Sequence, residues 1–226
     1  MKTIAIAALA LASCAPSFAG TTLFDQMFQN EIGSTWGSQL NADPMRNWRT
    51  FDNFSLGGDS TVEAVDWSGF LDLRDGTTIE LAPLNSIVGF QITFYENDAA
   101  TQLPGSVVSD QLVLVSNVVE IDFGLPTQQY AATLNAPVAL SGSTQYWVSV
   151  AAVLPNPDGA VLLWHGGAGD IPVTNGDARS AFDAGVDGID GSRNLDMLFR
   201  LPGVPTPGSA ALMAIAGVGM LRRRRN

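Results

Sequence analysis

Few side chains in this chain are suited to acid–base or nucleophilic chemistry. Among its 226 residues there is one histidine, His165, and one cysteine, Cys14. A serine hydrolase needs a positioned nucleophile beside its histidine, and no Gly-x-Ser-x-Gly motif marks one. We therefore expect no enzymatic activity. His165 is predicted to be a structural residue where a strand meets the Gly166-Gly167 turn.

The densest acidic run places Asp183, Asp187 and Asp190 within eight residues, interrupted by Gly185 and Gly188. Calcium prefers several oxygen ligands on a bendable loop, which this run offers. The spacing does not follow the Asp-x-Asp-x-Asp-Gly pattern of an EF-hand loop. One interpretation is a low-affinity calcium site, and the other is a solvated turn in which Asp and Gly satisfy turn geometry. No other cofactor is expected.

The chain has five tryptophans, and Trp147 is the one considered for ligand binding. Tryptophans mostly pack in cores, where they bury large apolar areas. However, strict alternation along Gln145–Val153 puts Trp147 on the face opposite Tyr146 and Val148. An outward Trp147 would be a candidate for stacking on a sugar ring.

The elements that would hold these residues are strands, because apolar residues recur mostly with a period of two. We predict one antiparallel β-sandwich, an all-β fold, over residues 20–203, with one helical turn near residues 24–28. Turns are predicted at glycine and proline pairs, including Gly57-Gly58, Pro104-Gly105 and Gly166-Gly167. The predicted strands are 62–67, 87–95, 107–115, 118–123, 129–134, 145–153, 161–164 and 196–201. The predicted core includes Phe90, Ile92, Phe94, Tyr146, Val148, Phe199 and Leu201.

The charge distribution restricts the possible partners of this body. Five of the 11 basic residues, Lys2 and Arg222 to Arg225, lie in the terminal segments. None of the 22 acidic residues lies there, which leaves a net charge of −16 on residues 20–203. Nucleic acids bind clustered positive charge, so they are excluded as partners.

The first 19 residues have the layout of an export signal. Lys2 supplies the positive region, Ile4 to Leu11 the apolar region, and Ser17-Phe18-Ala19 a small-x-small cleavage motif. Cleavage between Ala19 and Gly20 is predicted. An alternative is a lipoprotein signal, in which Leu-Ala-Ser before Cys14 serves as a lipobox.

Residues 204–226 have the order of a stop-transfer segment. The element Val204-Pro205-Thr206-Pro207 precedes an apolar stretch, residues 208–221, and the cluster Arg222, Arg223, Arg224 and Arg225 follows. Lipid accepts the apolar stretch and the arginines stay on the cytoplasmic side. A helix of about 14 residues reaches roughly 21 Å, short of the ~30 Å hydrocarbon core. Such a short transmembrane helix suits transient anchoring in the inner membrane.

This tail closely resembles the PEP-CTERM sorting signal, a Pro-x-Pro element followed by a short apolar helix and a terminal arginine cluster. Thr206 stands where that signal usually has Glu. The resemblance implies processing near the Pro-x-Pro element by an exosortase, a membrane protease or transpeptidase. It also implies export to the cell surface or medium of a bacterium with an outer membrane and an exopolysaccharide-rich surface.

The body also resembles the jelly-roll-like β-sandwiches of secreted PEP-CTERM proteins. The similarity rests on loose motifs, namely Phe51-Asp-Asn-Phe54, Val65-Asp-Trp-Ser-Gly69, Phe90-Gln-Ile-Thr-Phe-Tyr95, Tyr146-Trp147 and Phe199-Arg-Leu201. It implies architecture and no catalytic residue. The expected role is that of a non-enzymatic surface or extracellular-matrix protein in contact with exopolysaccharide. The alternatives are a calcium-dependent adhesion or carbohydrate-binding module and a secreted hydrolase.

Overall fold

The computed structural model describes residues 20–27, 32–40, 47–72, 81–122, 128–155, 161–167, 179–182, 189–192 and 196–206. Within these ranges the chain forms strands, two single 3-10 turns and no α-helix. No helix in the described part is long and apolar enough to cross a membrane. The predicted signal peptide, residues 1–19, and the predicted apolar helix, residues 208–221, lie outside the described residues.

The strands form two sheets, and they are numbered in chain order. The first sheet contains β1 (Thr21–Asp25), β2 (Ile32–Gly37), β5 (Ser60–Asp72), β8 (Val118–Asp122), β9 (Gln128–Leu140), β11 (Val161–Gly167) and β14 (Phe199–Pro205). The second contains β3 (Gln39–Leu40), β4 (Trp48–Ser55), β6 (Gly89–Asp98), β7 (Leu103–Leu114), β10 (Gln145–Val153), β12 (Arg179–Phe182) and β13 (Ile189–Ser192). All the pairings are antiparallel except that of β3 with β10.

The long strand β5 is the centre of the first sheet. On one side it pairs with β9, which pairs with β8. On the other side β14 pairs with the first part of β5 and β11 with its last residues. Strand β1 pairs with β14, and β2 pairs with β11. The carboxyl-terminal strand β14 is therefore held on both sides, by β1 and β5.

Strand β10 has the corresponding place in the second sheet, between β4 and β6. Strand β7 pairs with β6 and ends the sheet on that side. The hairpin of β12 and β13 continues the sheet beyond β4. The two-residue strand β3 contacts the far end of β10 and the start of β4.

The core between the sheets is built on aromatic side chains from both of them. Trp67 packs with Phe90, ring centroids 4.7 Å apart, and with Tyr130 at 5.5 Å. Phe199 packs with Phe24 at 5.1 Å and with Trp164 at 6.1 Å. All seven predicted core residues are buried: Phe90, Ile92, Phe94, Tyr146, Val148, Phe199 and Leu201. The prediction of an all-β sandwich is thus confirmed, and each predicted strand overlaps an observed one.

Three local predictions were wrong. The helical turn expected at residues 24–28 begins as strand β1, because Phe24 packs on Phe54 and Phe199 and tertiary contacts outweigh local preference. Pro104-Gly105 lies near the start of β7 and not in a turn; a proline is tolerated there because β7 is an edge strand.

Gly166-Gly167 also lies in a strand, β11, where the pairing with β2 shifts register between the two glycines. Glycine within a strand commonly marks such an irregularity. His165 is consequently inside β11, opposite Thr35, and not at the end of a strand.

Candidate functional site

The predicted cleavage point at the amino terminus and the predicted sorting element meet at one end of the first sheet. Thr21 pairs with Gly203, and a Cβ added to Gly20 would lie 3.1 Å from the Gly203 nitrogen. Strand β1 begins at this end and β14 runs towards it. Gly20 and Thr206 therefore lie at the same end of this sheet.

The sorting element begins inside the sheet. Strand β14 includes Val204 and Pro205, which pair with Thr61 and Ser60 of β5. The next amide, of Thr206, donates a hydrogen bond of 2.8 Å to the main-chain carbonyl of Asp59. The sheet thus continues beyond residue 203, where the sequence placed the end of the body.

Gly203 allows β14 to approach β5 closely at this point. A Cβ on Gly203 would lie 2.1 Å from the Thr61 carbonyl oxygen and 2.7 Å from the Leu23 Cδ1 atom. Neither distance is sterically possible, so the register of β14 here requires glycine.

Two loops close the same end of the sandwich. The Asp59 carboxylate accepts a 2.9 Å hydrogen bond from the Gly142 amide, and the Ser143 amide donates to the Leu56 carbonyl at 2.8 Å. A Cβ on Gly142 would lie 2.4 Å from the Gly58 Cα atom, so the loops are in direct contact. Asp59 therefore joins three segments, because its main chain holds Thr206 and its side chain holds the β9–β10 loop. We call Asp59, Gly142 and Val204–Thr206 the terminal junction.

The alternative that Trp147 is outward and open to a sugar ring is contradicted by the structure. Alternation does separate it from Tyr146 and Val148, which lie in the core between the sheets. Its side chain is nevertheless 0% exposed, because the neighbouring strands carry Phe51 and Tyr95, which form a second apolar cluster with it. The indole N–H donates to Asn97 Oδ1 at 2.9 Å. A buried indole has no free face for a sugar ring.

A polar network lies beside this second cluster, and sequence reasoning did not identify it. Arg49 Nη1 donates to Thr93 Oγ1 at 2.7 Å and to Tyr95 OH at 3.1 Å. Thr93 Oγ1 in turn donates to Asp110 Oδ1 at 2.6 Å. Alternation along β4 would have grouped Arg49 with Phe51 on one face, but only the sheet order brings β4 and β6 to either side of β10.

Asp52 is the most deeply buried carboxylate among the described residues, with 0% of its surface exposed. Its Oδ2 accepts from Gln26 Nε2 at 2.6 Å and from the Met197 amide at 2.7 Å, and its Oδ1 accepts from the Asn53 amide at 2.8 Å. Burial, and after it the charge of Asp196, raises the pKa of Asp52 well above its usual value. With three donors directed at it inside the protein, this carboxylate joins β1, β4 and the start of β14 structurally.

Asp66 is a second buried carboxylate, opposite Arg200 in the pairing of β5 with β14. Burial raises its pKa to about 6, with Arg200 lowering it and Asp25 raising it. Arg200 Nε is 3.0 Å from Asp25 Oδ2, so its ion pair is with the neighbouring strand β1.

The predicted calcium ligands are only partly within the described residues. Asp190 lies in β13, where it pairs with Ser180. Asp183 and Asp187 lie outside the described residues, as do Ala19, Pro207 and Arg222–Arg225. Where the structure is described, no group of three His, Cys, Asp or Glu side chains is arranged to hold a metal ion. The calcium site stays a prediction from the sequence.

Comparison with protein-family models, with curated proteins and with solved structures finds no match for this chain.

Proposed function

We propose that this chain is an exported, non-enzymatic surface or extracellular-matrix protein, sorted through a carboxyl-terminal signal of the PEP-CTERM type. Its partners are an exosortase-type processing enzyme, the inner membrane during sorting, and exopolysaccharide at its destination. The observation that carries the proposal is the order of the last 23 residues: Pro205-Thr-Pro207, an apolar stretch, and four arginines. In this proposal the processing enzyme recognises the Pro-x-Pro element, the apolar stretch inserts into lipid, and the arginines stay at the cytoplasmic face.

The geometry of the body supports this use of the termini. Gly20 and Gly203 are adjacent, and Thr206 lies at the same end of the sandwich. An export signal attached at Gly20 and a membrane-anchoring tail attached at Thr206 would therefore share one end of the body, and both could contact one membrane without unfolding the sandwich. A body with its termini at opposite ends would have to span the distance with linkers.

The character of the body agrees with a structural or binding role. Its two sheets enclose an aromatic core, and the jelly-roll-like class of secreted sandwiches is the architecture we assign to it. The Asp52 carboxylate, whose pKa is raised, accepts hydrogen bonds from the Gln26 side chain and the Met197 amide and so ties neighbouring segments together. A net charge of −16 on residues 20–203 keeps such a body soluble outside the cell.

The sorting step is tested by changing the arginine cluster in the native host. Replacing Arg222–Arg225 with four glutamines should impair sorting and lower the amount of processed protein at the surface, because the tail loses the charges that hold its end at the cytoplasmic face. Replacing them with four lysines keeps the charge and is the matched control. Immunoblots of membrane, surface and medium fractions measure the distribution.

Equal delivery of the glutamine variant and the natural chain to the surface would refute the proposal. Recovery of mature surface protein that still ends at Asn226 would refute it as well. Turnover of a polysaccharide by the purified body, abolished by one carboxylate substitution, would instead support the hydrolase alternative. Glycan binding that requires calcium would support the adhesion or carbohydrate-binding alternative.

A further inference from the structure

The terminal junction limits where the tail can be cut from a folded body. Val204 and Pro205 are paired with Thr61 and Ser60, and the Thr206 amide is bonded to Asp59. Strand β14 is flanked by β1 on its other side. The backbone of Val204 and Pro205 is therefore paired in the sheet, and the Thr206 amide is hydrogen-bonded to the loop that contains Asp59.

A protease needs several consecutive substrate residues in an extended, unpaired form, because its cleft makes main-chain hydrogen bonds to them. Residues paired in a sheet become available only when the structure opens locally, and opening costs free energy. At the junction, opening would separate β14 from β5 and break the Thr206–Asp59 bond. The contact of Gly142 with Gly58 and the bond to the Asp59 side chain oppose movement of the loop that holds Thr206.

We propose, resting on the sorting function proposed above, that the folded body directs cleavage to the carboxyl-terminal side of Pro207. Val204 and Pro205 then remain on the mature protein as the last paired residues of β14, and Thr206 remains bonded to the loop. The half of the Pro-x-Pro element held by the sheet acts as a stop for the processing enzyme. The position of the cut is a property of the fold as well as of the motif.

The reaction breaks one amide bond of the tail after Pro207, because a cut between Thr206 and Pro207 would itself require Val204–Thr206 in the protease cleft. In hydrolysis, water supplies the hydroxyl group of the new carboxyl on the body and the proton of the new amine on the released segment. In transpeptidation, an acceptor amine takes the place of water and forms a new amide with the body. Either product leaves the pairing of Val204 with Thr61 intact.

The first test is intact-mass analysis of the mature protein recovered from the surface and medium of the native host. A carboxyl terminus between Pro207 and Ser209 is expected. A terminus at Thr206 or upstream overturns this inference and leaves the sorting function standing. A terminus at Asn226 overturns the sorting function, and this inference with it.

The second test does not depend on the processing enzyme. The purified full chain in detergent is digested with a broad-specificity protease at low dose, and trimming is followed by mass. The limit product should end at or after Pro207. Asp59→Ala removes the bond to the Gly142 amide and so lowers the free-energy cost of local opening. Trimming that continues past Thr206 into Pro205 and Val204 should become faster by at least about 3-fold.

Asp98→Ala is the matched control. It removes a similar bond, from the Ala100 amide to Asp98 Oδ1 at 2.8 Å, in the β6–β7 turn, which does not hold Thr206. It should trim like the natural chain. Rapid trimming of the natural chain into Val204 and Pro205 would overturn the inference, and so would equal trimming of the Asp59 and Asp98 variants.

Discussion

Single residues in this protein show how burial changes the role that a side-chain type suggests. Trp147 has the position that alternation predicts, but Phe51 and Tyr95 cover it with apolar surface. Asp52 belongs to a residue type that is mostly exposed, and it is 0% exposed because three donors satisfy it. In both cases the neighbours on adjacent strands decide whether the group is available for ligands.

The raised pKa of Asp66 predicts a pH dependence of stability. Its folded-state pKa of about 6 lies above the ordinary value of 3.8, so between these values the folded protein binds more protons than the unfolded chain. The free energy of unfolding should therefore fall as the pH rises from about 4 to about 6. Asp66→Asn should remove part of this fall, because an amide does not titrate.

Urea denaturation at pH 4.5 and pH 7 measures the effect. Glu63→Gln, on the same strand, is the control and should retain the dependence of the natural chain. An equal decrease in the free energy of unfolding from pH 4.5 to pH 7 in Asp66→Asn and in the natural chain would contradict this prediction.

Among the elements, β14 determines how the termini are organised. It is the last predicted strand in the sequence, yet it lies between β1 and β5. Its pairing with β5 shifts register between Arg200 and Gly203. The close approach at Gly203 follows directly after that irregularity. The strand therefore stabilises the body and holds the first residues of the predicted sorting element, Val204 and Pro205, at one defined place.

Gly203→Ala should destabilise the protein by about 1–3 kcal/mol, the usual cost of inserting a methyl group into a packed site. The new Cβ would meet the Thr61 carbonyl oxygen at 2.1 Å, so the backbone of β14 or β5 must move. Gly57→Ala is the control, since a Cβ there has nothing within 4 Å. Chemical denaturation of the two variants gives the comparison, and similar midpoints would contradict tight packing at the junction.

At the scale of the whole molecule, the net charge and the position of the described chain ends are the features that bear on the proposed function. Residues 20–203 carry a net charge of −16, which favours cations and repels anionic polymers. Gly20 and Thr206 lie at one end of the sandwich. Three of its many carboxylates, Asp183, Asp187 and Asp190, are clustered in sequence and form the predicted calcium site.

Calcium should raise the melting temperature of the body if this site binds it. At about 10 mM calcium and a dissociation constant near 0.1 mM, linkage gives about 2.7 kcal/mol of stabilisation. Magnesium and sodium chloride at equal ionic strength control for general screening of the negative charge. Asp187→Asn should abolish the calcium-specific shift, and Glu96→Gln, an exposed change on β6, should not. Equal shifts with all three salts would identify the run as a solvated turn.

The sequence by itself determined the fold class and most of the strands. The inward positions of Phe90, Ile92 and Phe94 follow from a period of two, which depends only on strand geometry. The order of the tail segments could also be recognised without a structure, because the partitioning of apolar residues and arginines is a local property.

Only the tertiary structure decided which strands are neighbours, and the function of individual residues depends on that. The Thr206 amide meets Asp59, and Gly203 meets Thr61, across more than 140 residues of sequence. Trp147 is buried by side chains from two other strands. Such contacts depend on sheet order and register, which no local pattern of residues specifies. The contacts of the terminal junction, which hold the start of the predicted sorting element, could therefore not be predicted from the sequence.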